Sequence, residues 1–369
     1  MKGLYQHYGW ELSLFSGKTR AYLRFKQLPF RDRTIRLWQM ESLKKRVGAQ
    51  VMPVVATPEG EYLQDTSEII GQLEARHPNP SVMPETPRQR MAACLLEAWG
   101  DEFWLPSAMH YRWNFQENFE KVFRPEAGDN LLPLAPRFLK NRLADRVAGT
   151  LRGFLPALGV VPEQTAKIES CTRSLCDALD RHFALHPYLL GGRPSLGDFG
   201  LIGPLYAHLG RDPYPARELI APRPHLQAWV SRMMQPPEGE PGDFLPDDEI
   251  PDTLEPLLAS VCREFRAFTE GTRSLAEKVA PTLSQGRGFP RQLEKLDIPF
   301  GESSLTLSAR PFVLWKLQRI RDQYGALDES GREAVQQWLS QWQAGDWLSA
   351  SMPWRLTRKG LYVLPSGRD

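Results

Sequence analysis

Gln50-Val51-Met52-Pro53-Val54-Val55, followed from position 64 by Gln64-Asp65-Thr66-Ser67-Glu68-Ile69-Ile70, is the pairing of stretches that decides how this chain folds. Proline has no N–H to give to a sheet, so Pro53 can open a short β-branched strand but cannot sit in its middle. A cis bond before it would turn the chain sharply at that point. Either way the main-chain N–H and C=O of Met52 fall outside the ladder and stay available to a peptide-like ligand. The second stretch starts a helix, with Asp65 or Thr66 as N-cap and Ile69, Ile70 and Leu73 on its apolar face. A helix N-terminus carries free N–H groups and a partial positive charge, which suits a carboxylate. An exposed peptide edge beside such a helix end fits a small acidic peptide.

Val51-Met52-Pro53-Val54-Val55, the Pro58-Glu59-Gly60 turn and the run Asp65-Thr66-Ser67-Glu68-Ile69-Ile70-Gly71-Gln72-Leu73-Glu74-Ala75-Arg76-His77-Pro78 resemble the glutathione-binding half of the glutathione transferase family. The resemblance implies a cis Met52–Pro53 bond and main-chain pairing of Met52 with the cysteinyl unit of glutathione. It also implies that Asp65 and Thr66 hold the γ-glutamyl end, so the glutathione-binding set is Met52, Pro53, Asp65 and Thr66. A second match, Leu189-Leu190-Gly191-Gly192-Arg193-Pro194-Ser195-Leu196-Gly197-Asp198-Phe199, resembles the family's helical domain and extends the likeness over about residues 3–235. Ser195 with Asp198 three residues on is capping-box spacing, and its role is structural.

The expected fold is a thioredoxin-like α/β domain over residues 1–80 and an all-helical domain over 88–235. A Pro/Gly/acidic linker over 236–252 leads to an additional small α+β domain over 253–369. In the first domain Gly3–Tyr8 reads as a strand, Lys18–Phe25 as a helix ending before Pro29, and Arg31–Leu37 as a second strand. Strand–helix–strand makes a parallel pair. Val54–Ala56 and Tyr62–Gln64 form a hairpin around the Pro-Glu-Gly turn. In the second domain Met91, Leu95, Trp99 and Phe103 recur at helical spacing, as do Ile168, Cys171, Leu175, Leu179 and Phe183. In the extension, helices are expected over 253–268, 312–324 and 329–342, a strand over 302–307, and a hairpin or return strand over 354–364. Arg355, Arg358 and Lys359 read there as a solvated strand face.

The loop Trp10-Glu11-Leu12-Ser13-Leu14-Phe15-Ser16-Gly17 is where chemistry is expected. Ser13 falls where related transferases place a catalytic Ser or Cys. A hydroxyl donor and a helix N-terminus stabilise a thiolate, which makes the thiol a better nucleophile near neutral pH. Serine can donate that hydrogen bond but cannot form a mixed disulfide, so thiol-transfer chemistry is disfavoured. Helix capping is the structural alternative for Ser13 or Ser16; Ser16, Tyr5 and Tyr8 are the other candidate activators. His7 reads as a half-buried strand residue, and Arg20 as structural or as a charge near the glutathione carboxylates. The acceptor pocket is expected between the two domains, with Tyr111, Arg112 and Trp113 as its candidates, an aromatic lining for a small hydrophobic electrophile.

Lys plus Arg number 46 against 44 for Asp plus Glu, so no charge excess points to nucleic acid or to an anionic membrane. No apolar run reaches the length of a membrane span, and no leader is recognised, which makes a cytoplasmic protein the expectation. Cys94, Cys171, Cys176 and Cys262 have neither metal-ligand nor disulfide-framework spacing. His182 and His186 lie at i,i+4 spacing but lack a zincin glutamate, and Pro187 ends the helix; no metal is expected. Two functions follow. One is a glutathione transferase, by resemblance a homodimer, that activates glutathione through Ser13. The alternative is a non-catalytic binding or dimerisation module whose C-terminal extension carries the function.

Overall fold

Alternating burial along β1 (Tyr5–Gly9) places Tyr5, His7 and Gly9 inside, as a strand with one covered face requires. The chain is described by a computed structural model over residues 3–284 and 286–366. After β1, Ser13 caps α1 (Leu14–Phe25), which starts four residues earlier than its apolar spacing suggests because the cap, not the hydrophobic pattern, sets its first turn. β2 (Phe30–Thr34) is shorter than expected; Leu37–Gln39 already forms a helical turn leading into α2 (Met40–Val47). β3 (Val54–Ala56) and β4 (Tyr62–Gln64) make the hairpin, and α3 (Thr66–Arg76) closes the unit. The sheet order is β2-β1-β3-β4, with β1 and β2 parallel and the other pairs antiparallel. This is a thioredoxin-like layer with α1 and α3 packed together.

The helical unit is built around α4 (Pro87–Glu102) and the Leu196–Pro204 helix, which cross backbone to backbone. A Cβ on Gly100 would lie 2.5 Å from the carbonyl carbon of Gly200, and one on Gly200 would lie 2.6 Å from Glu97 Cα. Only glycine allows that approach. Ser195 and Asp198 form the expected capping box, and Asp198 also accepts from Leu189 N at 3.1 Å and Trp229 Nε1 at 3.0 Å. α5 (Leu105–Asn114) and the Thr165–Phe183 helix pack beside them.

The Pro/Gly/acidic stretch is a docked strap. Phe244 bridges to Gly191, and the Asp248 carboxylate accepts from the N–H groups of Arg88 and Gln89 at 2.9 Å each, capping α4 from outside its own segment. The extension then continues as helix from Asp252 to Val279, eleven residues beyond the expected end. It also contains a hairpin of β5 (Lys295–Phe300) and β6 (Ser303–Ser308), of which only the second strand was expected. Two helices, Phe312–Gly325 and Glu329–Ser340, and a last hairpin of β7 (Arg355–Lys359) and β8 (Tyr362–Ser366) complete it. Both of those helices pack on α4. As a result every residue from Met91 to Gly100 is buried, and one hydrophobic core runs through all three parts of the chain. Among the described residues no helix is long and apolar enough to cross a membrane.

Candidate functional site

A cavity of about 950 Å³ lies between the thioredoxin-like and helical units. Ser13, Met52, Pro53, Asp65 and Thr66 line it from one side, and Arg112 and Trp113 from the other. Local rules put the first group there. The Met52–Pro53 bond is cis, β3 begins only at Val54, and the main-chain N–H and C=O of Met52 make no hydrogen bond among the described residues. Asp65 holds φ at +76°, a conformation that costs a non-glycine residue about 1–3 kcal/mol and is kept where the surroundings impose it. That backbone turns the chain from β4 into α3, and the Asp65 Oδ1 caps the helix by accepting from Ser67 N at 3.0 Å and Glu68 N at 3.2 Å. The capping role falls to Asp65, which leaves the Thr66 N–H and hydroxyl without protein partners among the described residues.

Ser13 is the N-cap of α1: its Oγ accepts from Ser16 N at 3.2 Å. Accepting uses a lone pair and leaves the hydroxyl proton free to donate towards the cavity. Ser16 is fully buried and does not line the cavity. The Tyr5 hydroxyl is hydrogen-bonded to His77 Nε2 at 2.8 Å, Tyr8 packs in a side cluster, and neither is among the residues that line the cavity. His7 lies on the buried face of β1 with Nδ1 2.7 Å from Asp32; burial lowers its pKa. Arg20 is buried against the same Asp32 and Glu11, so its charge is spent in the thioredoxin-like layer.

Tyr111 does not join the pocket. Its ring stacks on Phe115 with centroids 5.6 Å apart and lies beside Tyr214. Three consecutive helical residues fan over roughly 200°, so they cannot share one face. Arg112 reaches the cavity but is committed: it pairs with Asp212 and donates to Leu12 O at 3.1 Å and Ala207 O at 2.6 Å. Trp113 lines the cavity with Phe123 at 4.6 Å, giving the aromatic wall.

Part of the wall that could not be read from the sequence comes from the extension: Pro290 and Arg291, Arg310 and Phe312, Lys316, and the β7–β8 tip. Gly360, at φ +62°, lets that tip approach Ala49 Cβ to 3.1 Å, measured from where a Cβ would stand. Arg358 donates to Gln64 O at 3.1 Å, so it docks the hairpin on β4 and is not part of a solvated face. The Phe312–Gly325 helix is pinned to the start of α3 by Arg319, which pairs with Glu68 and donates to Ser67 O at 3.2 Å.

Behind this wall four charges are buried together. Lys18 of α1 bonds Glu97 and, at 2.7 Å, Asp101; Lys316 bonds Ser67 and, at 2.6 Å, the same Asp101. Against the cost of burial, the two lysines and the Ser67 hydroxyl hold Glu97 well below the usual carboxylate range. Burial would lower Lys316, but Asp101 and Glu97 more than compensate and raise it. The four cysteines are all free and buried; burial pushes Cys94, Cys176 and Cys262 up to about 12, and Cys171 rises for the same reason. They are poor nucleophiles. Both ring nitrogens of His182 are taken by Thr253 Oγ1, at 2.7 Å, and Tyr188 O, at 3.2 Å.

Comparison with known proteins matches residues 8–81 to the glutathione S-transferase N-terminal domain and residues 162–232 to the glutathione S-transferase C-terminal domain. No curated protein matches the chain. Similar solved structures include a glutathione S-transferase from Rhodospirillum rubrum F11, 16% identical, covering 68% of this chain and 97% of its own, with a TM-score of 0.40. Another is a glutathione S-transferase from Methylobacterium radiotolerans in complex with glutathione sulfonate, 20% identical, covering 66% and 98%, TM-score 0.39. The beta-etherase LigF from a Sphingobium strain is 19% identical, covering 64% and 96%, TM-score 0.44.

Proposed function

Starting from a chain that belongs to the glutathione S-transferase family through both its N- and C-terminal domains, we propose that it binds glutathione in the interdomain cavity and activates its thiol for attack on a small hydrophobic electrophile. The observation that carries this reading is the convergence of Ser13, Met52, Asp65 and Thr66 on one cavity, each with a polar group that has no partner among the described residues. Met52 offers an unpaired peptide edge to the cysteinyl unit. Thr66 offers N–H and hydroxyl donors to the γ-glutamyl carboxylate, and Asp65 Oδ2 an acceptor to its ammonium. Ser13 caps α1 through its oxygen and donates its proton to the sulfur, which stabilises the thiolate over the thiol. The thiolate attacks the electrophilic carbon of an acceptor held against Trp113 and Phe123; a bond forms to sulfur as the acceptor's leaving group departs or its π-bond takes the electron pair.

Replacing Ser13 by Ala removes one hydrogen bond to an anion. The expected outcome is a rise of about 1–2 units in the pKa seen in the pH profile of kcat/KM with 1-chloro-2,4-dinitrobenzene, with glutathione affinity held within about threefold. An unchanged profile would assign thiol activation to another group.

A further inference from the structure

We propose that Arg310, supplied by the C-terminal extension, receives the α-carboxylate of the γ-glutamyl end, while Glu102 of α4 faces its ammonium group. The inference rests on the reading of the cavity as a glutathione site and adds two residues that lie outside the matched family domains. Both line the cavity together with Asp65, Thr66 and Lys316. The Arg310 Nη2 donates to the Glu102 main-chain oxygen at 3.1 Å and lies 3.4 Å from its carboxylate. The guanidinium sits over the Phe268 ring at 4.8 Å, which fixes its plane. Its Nη1 is withdrawn from solvent and has no acceptor among the described residues. A buried donor without a partner costs free energy that a ligand oxygen would recover.

The other cations of this corner are spent. Lys316 is held by Ser67 and Asp101, and Arg319 by Glu68. On the acidic side, Asp65 uses one oxygen for the helix cap, and among the described residues the Glu102 carboxylate has only the long contact to Arg310. An α-amino acid end carries one ammonium and one carboxylate on one carbon. A guanidinium donor without an acceptor among the described residues and an under-used carboxylate, lining one cavity with Asp65 and Thr66, match that pair in charge. An arginine fork is also better suited than a lysine to a planar carboxylate.

The test is a calorimetric cycle on the full chain with three peptides: glutathione, 4-aminobutyryl-Cys-Gly, which lacks the carboxylate, and glutaryl-Cys-Gly, which lacks the ammonium. In the wild type both analogues are expected to bind on the order of tenfold or more weakly than glutathione. In Arg310→Gln, glutathione falls towards the level of 4-aminobutyryl-Cys-Gly, whose own affinity stays where it was, and the glutaryl peptide keeps only the share of its carboxylate's advantage that Thr66 supplies. Arg310→Lys recovers part of the loss. Equal weakening of all three peptides would mark Arg310 as a structural residue only and overturn the assignment, as would glutathione affinity unchanged in Arg310→Gln. Absence of glutathione binding in the wild type would instead overturn the functional reading beneath it, and this assignment with it.

Discussion

His182 joins the helical unit to the first residues of the extension, and its two hydrogen bonds fix its tautomer. Tyr188 O can only accept, so Nε2 carries the proton and Nδ1 accepts from the Thr253 hydroxyl. Burial lowers the imidazole from its ordinary value to about 4. The unfolded chain therefore binds a proton that the folded chain refuses, and stability falls as pH drops. The His182 contribution is whole above about pH 6.5 and lost on the way down to about pH 4. In urea titrations, His182→Asn is expected to be less stable than wild type at pH 7, and that gap should shrink by up to roughly 3 kcal/mol by pH 4. A gap independent of pH would mean that the imidazole titrates normally. At this scale Met52, Pro53, Asp65 and Thr66 were legible as neighbours of one site because local rules position them: a strand that opens at proline and a helix that needs a cap. Ser13 was ambiguous, since capping and proton donation looked like rivals and they use different parts of one hydroxyl. Tyr111 was misplaced because helical phase, not composition, decides which of three adjacent residues faces a cavity.

Helix α4 shows what periodicity can and cannot reveal about an element. Its Met91-Leu95-Trp99 spacing correctly announces a helix with an apolar face, and a helix of this kind ordinarily keeps a solvated one. Here the opposite face is buried too, because the Phe312–Gly325 and Glu329–Ser340 helices cover it from more than two hundred residues away in sequence. Glu97 and Asp101, which a sequence reader would leave in water, are consequently interior. The crossing with the Leu196–Pro204 helix holds α4, and with it Glu102, at the cavity edge. Gly200→Ala places a methyl 2.6 Å from the Glu97 backbone and must push the two helices apart. A loss of about 1–3 kcal/mol in denaturant-derived stability is expected; no loss would mean that the crossing is looser than described.

Across the whole molecule, the extension behaves as part of the fold and not as an appendage on a tether. The strap that precedes it is bonded at Gly191, Arg88 and Gln89, and its helices carry Lys316 into the charge cluster and Arg310 to the cavity. A second copy would have to dock elsewhere than on the covered faces of α4. None of this was readable from the 236–252 composition, which says only that the segment is irregular; its partners are long-range. Lys316→Met leaves Glu97 and Asp101 buried with Lys18 alone, and breaking a buried ion cluster from one side costs roughly 3–5 kcal/mol. Chemical denaturation should show a loss of that size, and a change below about 1 kcal/mol would deny the cluster its structural role. The central claim, that this cavity holds glutathione by the Met52 edge and the start of α3, is tested most directly by calorimetric titration of the intact protein with reduced glutathione, alongside Thr66→Val. The account predicts saturable one-site binding that the variant weakens by about tenfold, the loss of one hydrogen bond to a charged group. No binding at about millimolar glutathione, or binding untouched by Thr66→Val, would contradict it.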